Sequence, residues 1–126
     1  MPVTRIAIRA GKPATYRKAL MHEVYEAMRD VFGVPEDDFF MALSEHEEDT
    51  LLFGRSYLGI ERSDDFVLIQ ITASNTRSEE VKKALYRRIA ERLSASPGIR
   101  GEDVFVNLVE VTKANWSFGR GEAQLI

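Results

Sequence analysis

The chain repeats itself at a spacing of 65 residues. A gapless shift of that length carries Arg17-Lys18-Ala19-Leu20 onto Lys82-Lys83-Ala84-Leu85, and Gly33 onto Gly98. It also carries Val24, Glu26 and Met28 onto Ile89, Glu91 and Leu93. Beyond the glycines, Val34, Asp38, Phe40 and Leu43 fall on Ile99, Asp103, Phe105 and Leu108. Such a register constrains the fold strongly, because whatever one copy forms the other is expected to form too.

Each copy reads as strand, helix, strand. Thr4, Ile6, Ile8 and Ala10 alternate with Arg5, Ala7 and Arg9, the pattern of a half-buried strand. Pro13 suits the first helical position, where its missing N–H costs nothing. Tyr16, Leu20, Val24, Met28 and Val31 then form one apolar helical stripe, which Gly33 and Pro35 stop. Phe39 to Ser44 is the return strand. In the second copy Phe66 to Ile71 is almost continuously apolar, which predicts a central strand. Val81, Leu85, Ile89 and Leu93 repeat the helical stripe, Pro97-Gly98 ends it, and Val104 to Val111 returns.

Parallel strands need a crossover, and right-handed β-α-β crossovers are the rule. The expected fold is therefore α/β. Two pseudo-repeated β-α-β units, about residues 2–44 and 66–111, share a four-stranded mixed sheet with two helices on one face. A chain of 126 residues has room for one such domain, taken as residues 1–126. Between the copies, Leu51 to Ile60 is expected to add a short strand or hairpin. The tail from Thr112 onward reads as lacking a repeat partner.

Composition narrows the chemistry. A net charge of −3 argues against a general nucleic-acid binder, so any anionic ligand must be held by a few local cations. No apolar run approaches the length of a membrane span, and no signal-peptide core follows Met1; a cytoplasmic location is expected. With no cysteine, disulfides and thiolate chemistry are excluded. His22 and His46 lack ligand neighbours at helical or finger spacing, so no metal site and no cofactor is expected. Phosphate-binding loops and nucleophile elbows are absent.

The amino terminus remains. Pro2 shifts by 65 onto Val67, at the head of an inner strand. With Met1 removed, Pro2 would carry a secondary amine in apolar surroundings. Desolvation disfavours its charged form and lowers its pKa from the ordinary α-amino range of about 7.7–8.0. Such an amine exchanges protons near neutral pH. Amide-linked proline cannot, so excision of Met1 is a requirement of this chemistry.

Met-Pro at the start, two linked β-α-β units and this length resemble the tautomerase superfamily, closest to its malonate semialdehyde decarboxylase branch. Phe32-Gly33-Val34-Pro35 with Asp38, Ser44 and His46 carries the likeness, as do Arg77-Ser78-Glu79-Glu80, Gly98-Ile99 and Asp103-Val104. The tail Trp116-Ser117-Phe118-Gly119-Arg120-Gly121 is its most specific stretch. The resemblance implies a homotrimer and a cofactor-free enzyme acting on a small anionic oxo acid. Pro2 would be the catalytic amine and Asp38 the acidic residue that orients or activates the reacting group. Asp103 stands at the same place in the second copy, so both aspartates could equally shape a turn. Arg77 would bind the substrate carboxylate, near a helix start where a cation opposes the macrodipole and an anion relieves it. Trp116 and Phe118 would wall the pocket; Arg120 reads equally as a further anion contact or as an exposed side chain.

One position departs from the branch. Asn75 stands where the decarboxylase has a second arginine, and a carboxylate held by one arginine and an amide is oriented less rigidly. That favours keto-enol proton transfer on a 2-oxo acid. The alternatives are decarboxylation or hydration of a 3-oxo acid by a cationic Pro2, or a catalytically silent trimeric binding protein.

Overall fold

The computed structural model describes residues 1–126. Strand β1 (Val3–Arg9), helix α1 (Ala14–Phe32) and strand β2 (Met41–His46) form the first unit. Strand β3 (Val67–Ser74), helix α2 (Glu79–Ala95) and strand β4 (Val104–Val111) form the second. The sheet order is β2-β1-β3-β4. Strands within a unit are parallel, and the central pair β1 and β3 is antiparallel. Arg5 faces Gln70, its own image at a shift of 65, so a pseudo-twofold axis passes through that pair.

The repeat holds at the level of single hydrogen bonds. Ala10 N–H donates to the His46 carbonyl at 2.8 Å, and Asn75 to Val111 at 3.0 Å. Val34 donates to Met28 and Ile99 to Leu93, closing each helix at a glycine with positive φ, 69° at Gly33 and 101° at Gly98. That left-handed geometry is the reason glycine stands at both stops. Even an ion pair repeats: Arg17 with Glu45 at 2.9 Å, Lys82 with Glu110 at 2.8 Å.

The helices cover one face of the sheet. Ile6, Ile8, Val67, Ile69 and Ile71 pack against Leu20, Val24, Met28, Leu85, Ile89 and Leu93 in one buried cluster. Each such side chain contributes about 1.5–3 kcal/mol through burial. The other face carries exposed Gln70, Phe105 and Asn107 and half-buried Leu68. No helix is long and apolar enough to cross a membrane.

Three expectations need correcting. Strand β2 begins at Met41, while Phe39 and Phe40 project outward, both more than half exposed. Residues 51–60 form no strand. Two 3-10 turns, Glu48–Thr50 and Tyr57–Gly59, flank a loop in which Arg62 donates to the carbonyls of Gly54, Tyr57 and Ile60. A side chain thus satisfies acceptors that a ladder would otherwise use. The tail does have a repeat partner: its 3-10 turn Lys113–Asn115 lies 65 residues after Glu48–Thr50. Phe118-Gly119-Arg120 repeats Phe53-Gly54-Arg55.

Candidate active site

The start of β1, the end of β3 and the turn before β2 meet at one end of the sheet. Parallel pairing sets Met41 of β2 beside Thr4, and antiparallel pairing sets Thr72 beside Val3. Pro2 is buried there. The terminal amine, on Met1, lies 3.7 Å from Asp38 Oδ2. A turn closed from Asp38 N–H to the Pro35 carbonyl at 3.2 Å, anchored by buried Val34, delivers the aspartate. Asp38 is only 5% exposed, yet neither carboxylate oxygen has a hydrogen-bond partner. A buried carboxylate without donors is costly, so its environment is that of a group awaiting one.

Arg77 arrives from the loop between β3 and α2. Its Nη2 donates to the Phe32 carbonyl at 2.9 Å, and the guanidinium lies 4.5 Å from the Phe32 ring centre. The cation is therefore seated at the C-terminal end of α1, where the macrodipole favours it. This revises the expected strain at the start of α2, whose cap is Ser78, accepting from Val81 N–H at 3.3 Å. Burial lowers the Arg77 pKa, against the opposing pull of Asp38 and Glu110. Burial likewise lowers the terminal amine below its ordinary 8.0, with Asp38 raising it and Arg77 lowering it. Amine, Asp38 and Arg77 thus share one electrostatic neighbourhood.

The other expected residues stand around this group. Asn75 is exposed two positions before Arg77, with its backbone N–H on Val111. Trp116 and Phe118 follow β4, whose end pairs with Ser74 at the same edge. Their rings stack at 5.5 Å, and the buried Trp116 Nε1 has no partner. They make no ring contact or hydrogen bond with Pro2, Asp38 or Arg77. Arg120 is largely exposed, near Glu122 at 3.7 Å. His46 lies at the opposite end of β2, with its ring between Ser44 and Thr50 hydroxyls, and His22 is exposed. No group of three or more His, Asp or Glu side chains converges to hold a metal ion.

Sequence reasoning missed Glu110, which pairs with Lys82 and faces Arg77 electrostatically. The repeat held the signal, since Arg17 and Glu45 are their images. It also missed the second Phe-Gly-Arg triplet, legible by the same shift. A partly desolvated terminal amine beside a bare carboxylate, within the field of a guanidinium, is a group that can take up and return a proton.

Comparison with known proteins bears on the family and the fold. A sequence profile described as tautomerase enzyme matches residues 38–119, and another of the same description matches residues 2–61. The probable tautomerase YusQ of Bacillus subtilis (strain 168) is 37% identical over the whole chain and 99% of its own length. The probable tautomerase YrdN of the same organism is 35% identical over the whole chain and 97% of its length. A solved malonate semialdehyde decarboxylase, described for decarboxylase and hydratase activities, superposes with a TM-score of 0.92 at 34% identity. That match covers 98% of this chain and 95% of the other. A fused 4-OT trimer shares the fold, with a TM-score of 0.79 at 22% identity over 95% of this chain and 94% of the other.

Proposed function

The chain belongs to the tautomerase superfamily, and from that premise we propose that it is a cofactor-independent enzyme moving a proton between oxygen and carbon of a small 2-oxo acid, with Pro2 as the acid–base group. Excision of Met1 frees the Pro2 amine. As a neutral base it takes the enol O–H proton; as the carbonyl forms, the ammonium delivers a proton to the adjacent carbon. Arg77 holds the substrate carboxylate, and Asp38 or Asn75 orients the reacting oxygen. Trp116 and Phe118 shield the amine from water. The observation that carries this reading is buried Asp38, without a hydrogen-bond partner, 3.7 Å from the terminal amine of the chain at the buried head of β1.

A second reading follows from the likeness to the decarboxylase. There Pro2, kept as an ammonium by Asp38, polarises the carbonyl of a 3-oxo acid for decarboxylation or hydration. Asn75 in place of a second cation weakens control of the departing carboxylate, and burial of Pro2 disfavours the ammonium that this reading needs. We also propose a homotrimer. The uncovered sheet face, the exposed Phe39 and Phe40, and the free edges of β2 and β4 give assembly a physical motive.

Ketonisation of phenylenolpyruvate, followed by ultraviolet absorbance on protein shown by intact mass to lack Met1, tests the assignment. Turnover that drops about a hundredfold or more in Pro2→Ala supports it. Equal rates in the two proteins would sink it, and decarboxylation of a 3-oxo acid by the same samples would select the second reading.

A further inference from the structure

The repeat accounts for the interior of both units, so exposed apolar residues present in only one copy are not demanded by the fold. In the loop between β2 and β3, Leu52 is 84% exposed and Leu58 77%, with exposed Tyr57 beside it. Their images at a shift of 65 are Ser117, Ala123 and Glu122. Leu58 has a φ of 59°, in the left-handed region that a bulky side chain rarely adopts. Arg62 fixes the loop through the carbonyls of Gly54, Tyr57 and Ile60. The result is a rigid apolar knob facing solvent. The turn leading into it carries Glu47, Glu48 and Asp49, none of them in an ion pair, where the second copy has Thr112, Lys113 and Ala114.

A groove of about 730 Å3 opens at the other end of β2, against α1. Met21, Tyr25, Phe39 and Phe40 give it apolar walls, Arg5 and Lys18 are its cations, and no carboxylate lines it. The wall is built in advance. Tyr25 Oη donates to the carbonyls of Pro35 and Glu36, and its ring centre lies 5.3 Å from that of Phe39. Ala90 and Val104 stand at the images of Tyr25 and Phe39, so the second copy lacks this wall. It also neutralises its cation: Lys83, the image of Lys18, pairs with Glu80 at 3.4 Å. Thr15 stands at the image of Glu80, and Lys18 is left without a carboxylate.

Knob and groove are thus two departures from the repeat that match each other, apolar on apolar and acid on base. They lie at opposite ends of β2, whose six residues span about 20 Å, so they do not meet within one chain. Two different patches that fit each other make a head-to-tail contact, which closes into a ring where the rotation allows. Groove against groove would instead set Arg5 and Lys18 against their own copies.

We propose that the Leu52–Leu58 loop of one subunit seats in the α1–β2 groove of the next, its acidic turn facing Lys18 and Arg5. This deepens the homotrimer reading and rests on it, three such contacts closing the ring.

The chain has no cysteine, so placed cysteines report without background. Ser56→Cys and Ala42→Cys replace small exposed residues at the loop and the groove. With a short bismaleimide the double variant should give a covalent ladder ending at the trimer on a denaturing gel, and each single variant only monomer. In sedimentation velocity Leu58→Asp should dissociate the oligomer with helix content retained, while Ala123→Asp, at the image position, leaves it assembled. Lys18→Glu should weaken association at least about tenfold, the scale of a like-charge contact at an interface, and Lys83→Glu should not. A trimer whose double variant fails to cross-link, or which survives Leu58→Asp, would overturn this docking and leave the homotrimer standing. Cross-linked dimers from either single variant would overturn it as well, by showing a contact between like patches. A monomeric parent protein would overturn both readings, the loop and groove then facing some other partner.

Discussion

Asp38 and Asp103 occupy one position in two copies of the same pattern, each buried at the turn before a return strand. Around Asp103 the chain provides both donors from Ser63, with Arg100 at 3.5 Å. Around Asp38 it provides none, and the nearest cation is the terminal amine. The same desolvated carboxylate is a structural clamp where the chain saturates it and stands without a donor where it does not, at the position proposed to orient the substrate. The function of a repeated motif thus depends on which neighbours reach it, more than on the motif.

The sharpest way to break this comparison is to shave both strand heads. Pro2→Ala should cost about a hundredfold or more in turnover with little change in stability. Its image Val67 is fully buried, so Val67→Ala should cost about 2 kcal/mol in denaturant unfolding and leave turnover per folded molecule intact.

The aspartates should respond in the opposite sense. Asp103→Asn loses charged acceptors for two short hydrogen bonds and should destabilise by about 2–3 kcal/mol. Asp38→Asn should leave the unfolding free energy unchanged or raise it, since no hydrogen bond is lost and a buried charge without donors is removed, while turnover falls. Equal destabilisation by both would show that the two carboxylates are equivalent after all.

A smaller contrast separates the paired cations. Arg77→Gln should raise KM for an anionic substrate about tenfold, the order of one charge-assisted hydrogen bond. Lys12→Gln should leave KM unchanged and cost no more than about 1 kcal/mol, because its pair with Asp65 is partly exposed.

The finest test is the pH profile of kcat/KM. In the proton-transfer reading the neutral amine is the active form, so activity rises with pH through the amine pKa. Burial of Pro2 disfavours its charged form and draws that midpoint down. Asp38→Asn removes the charge that raises it and should move the midpoint to lower pH. Arg77→Gln removes the charge that lowers it and should move the midpoint to higher pH. Shifts in the same direction would break the proposed field around the amine.

Much of the fold was legible because alternation and helical stripes record which side of each element is buried. Leu20 and Leu85, Val24 and Ile89, Met28 and Leu93 all reach the core as their spacing demands. The loop at residues 51–60 was misread because its apolar residues suggested a strand, whereas a single arginine, Arg62, satisfies its carbonyls. The tail was misread because Trp116 replaces Leu51 and Lys113 replaces Glu48, which hides a shared turn behind unlike side chains.

The sequence by itself determined that this protein is one β-α-β unit used twice, because the burial pattern is local and survives substitution. It also singled out Pro2, Asp38 and Arg77 as the residues to locate. Only the tertiary structure decided that Asp38 is bare while Asp103 is saturated, and that Arg77 caps α1 instead of straining α2. Hydrogen-bond satisfaction depends on which distant segments arrive within 3 Å of a group, roughly one donor–acceptor separation. Ser63, in the loop before β3, arrives at Asp103, and no equivalent donor arrives at Asp38.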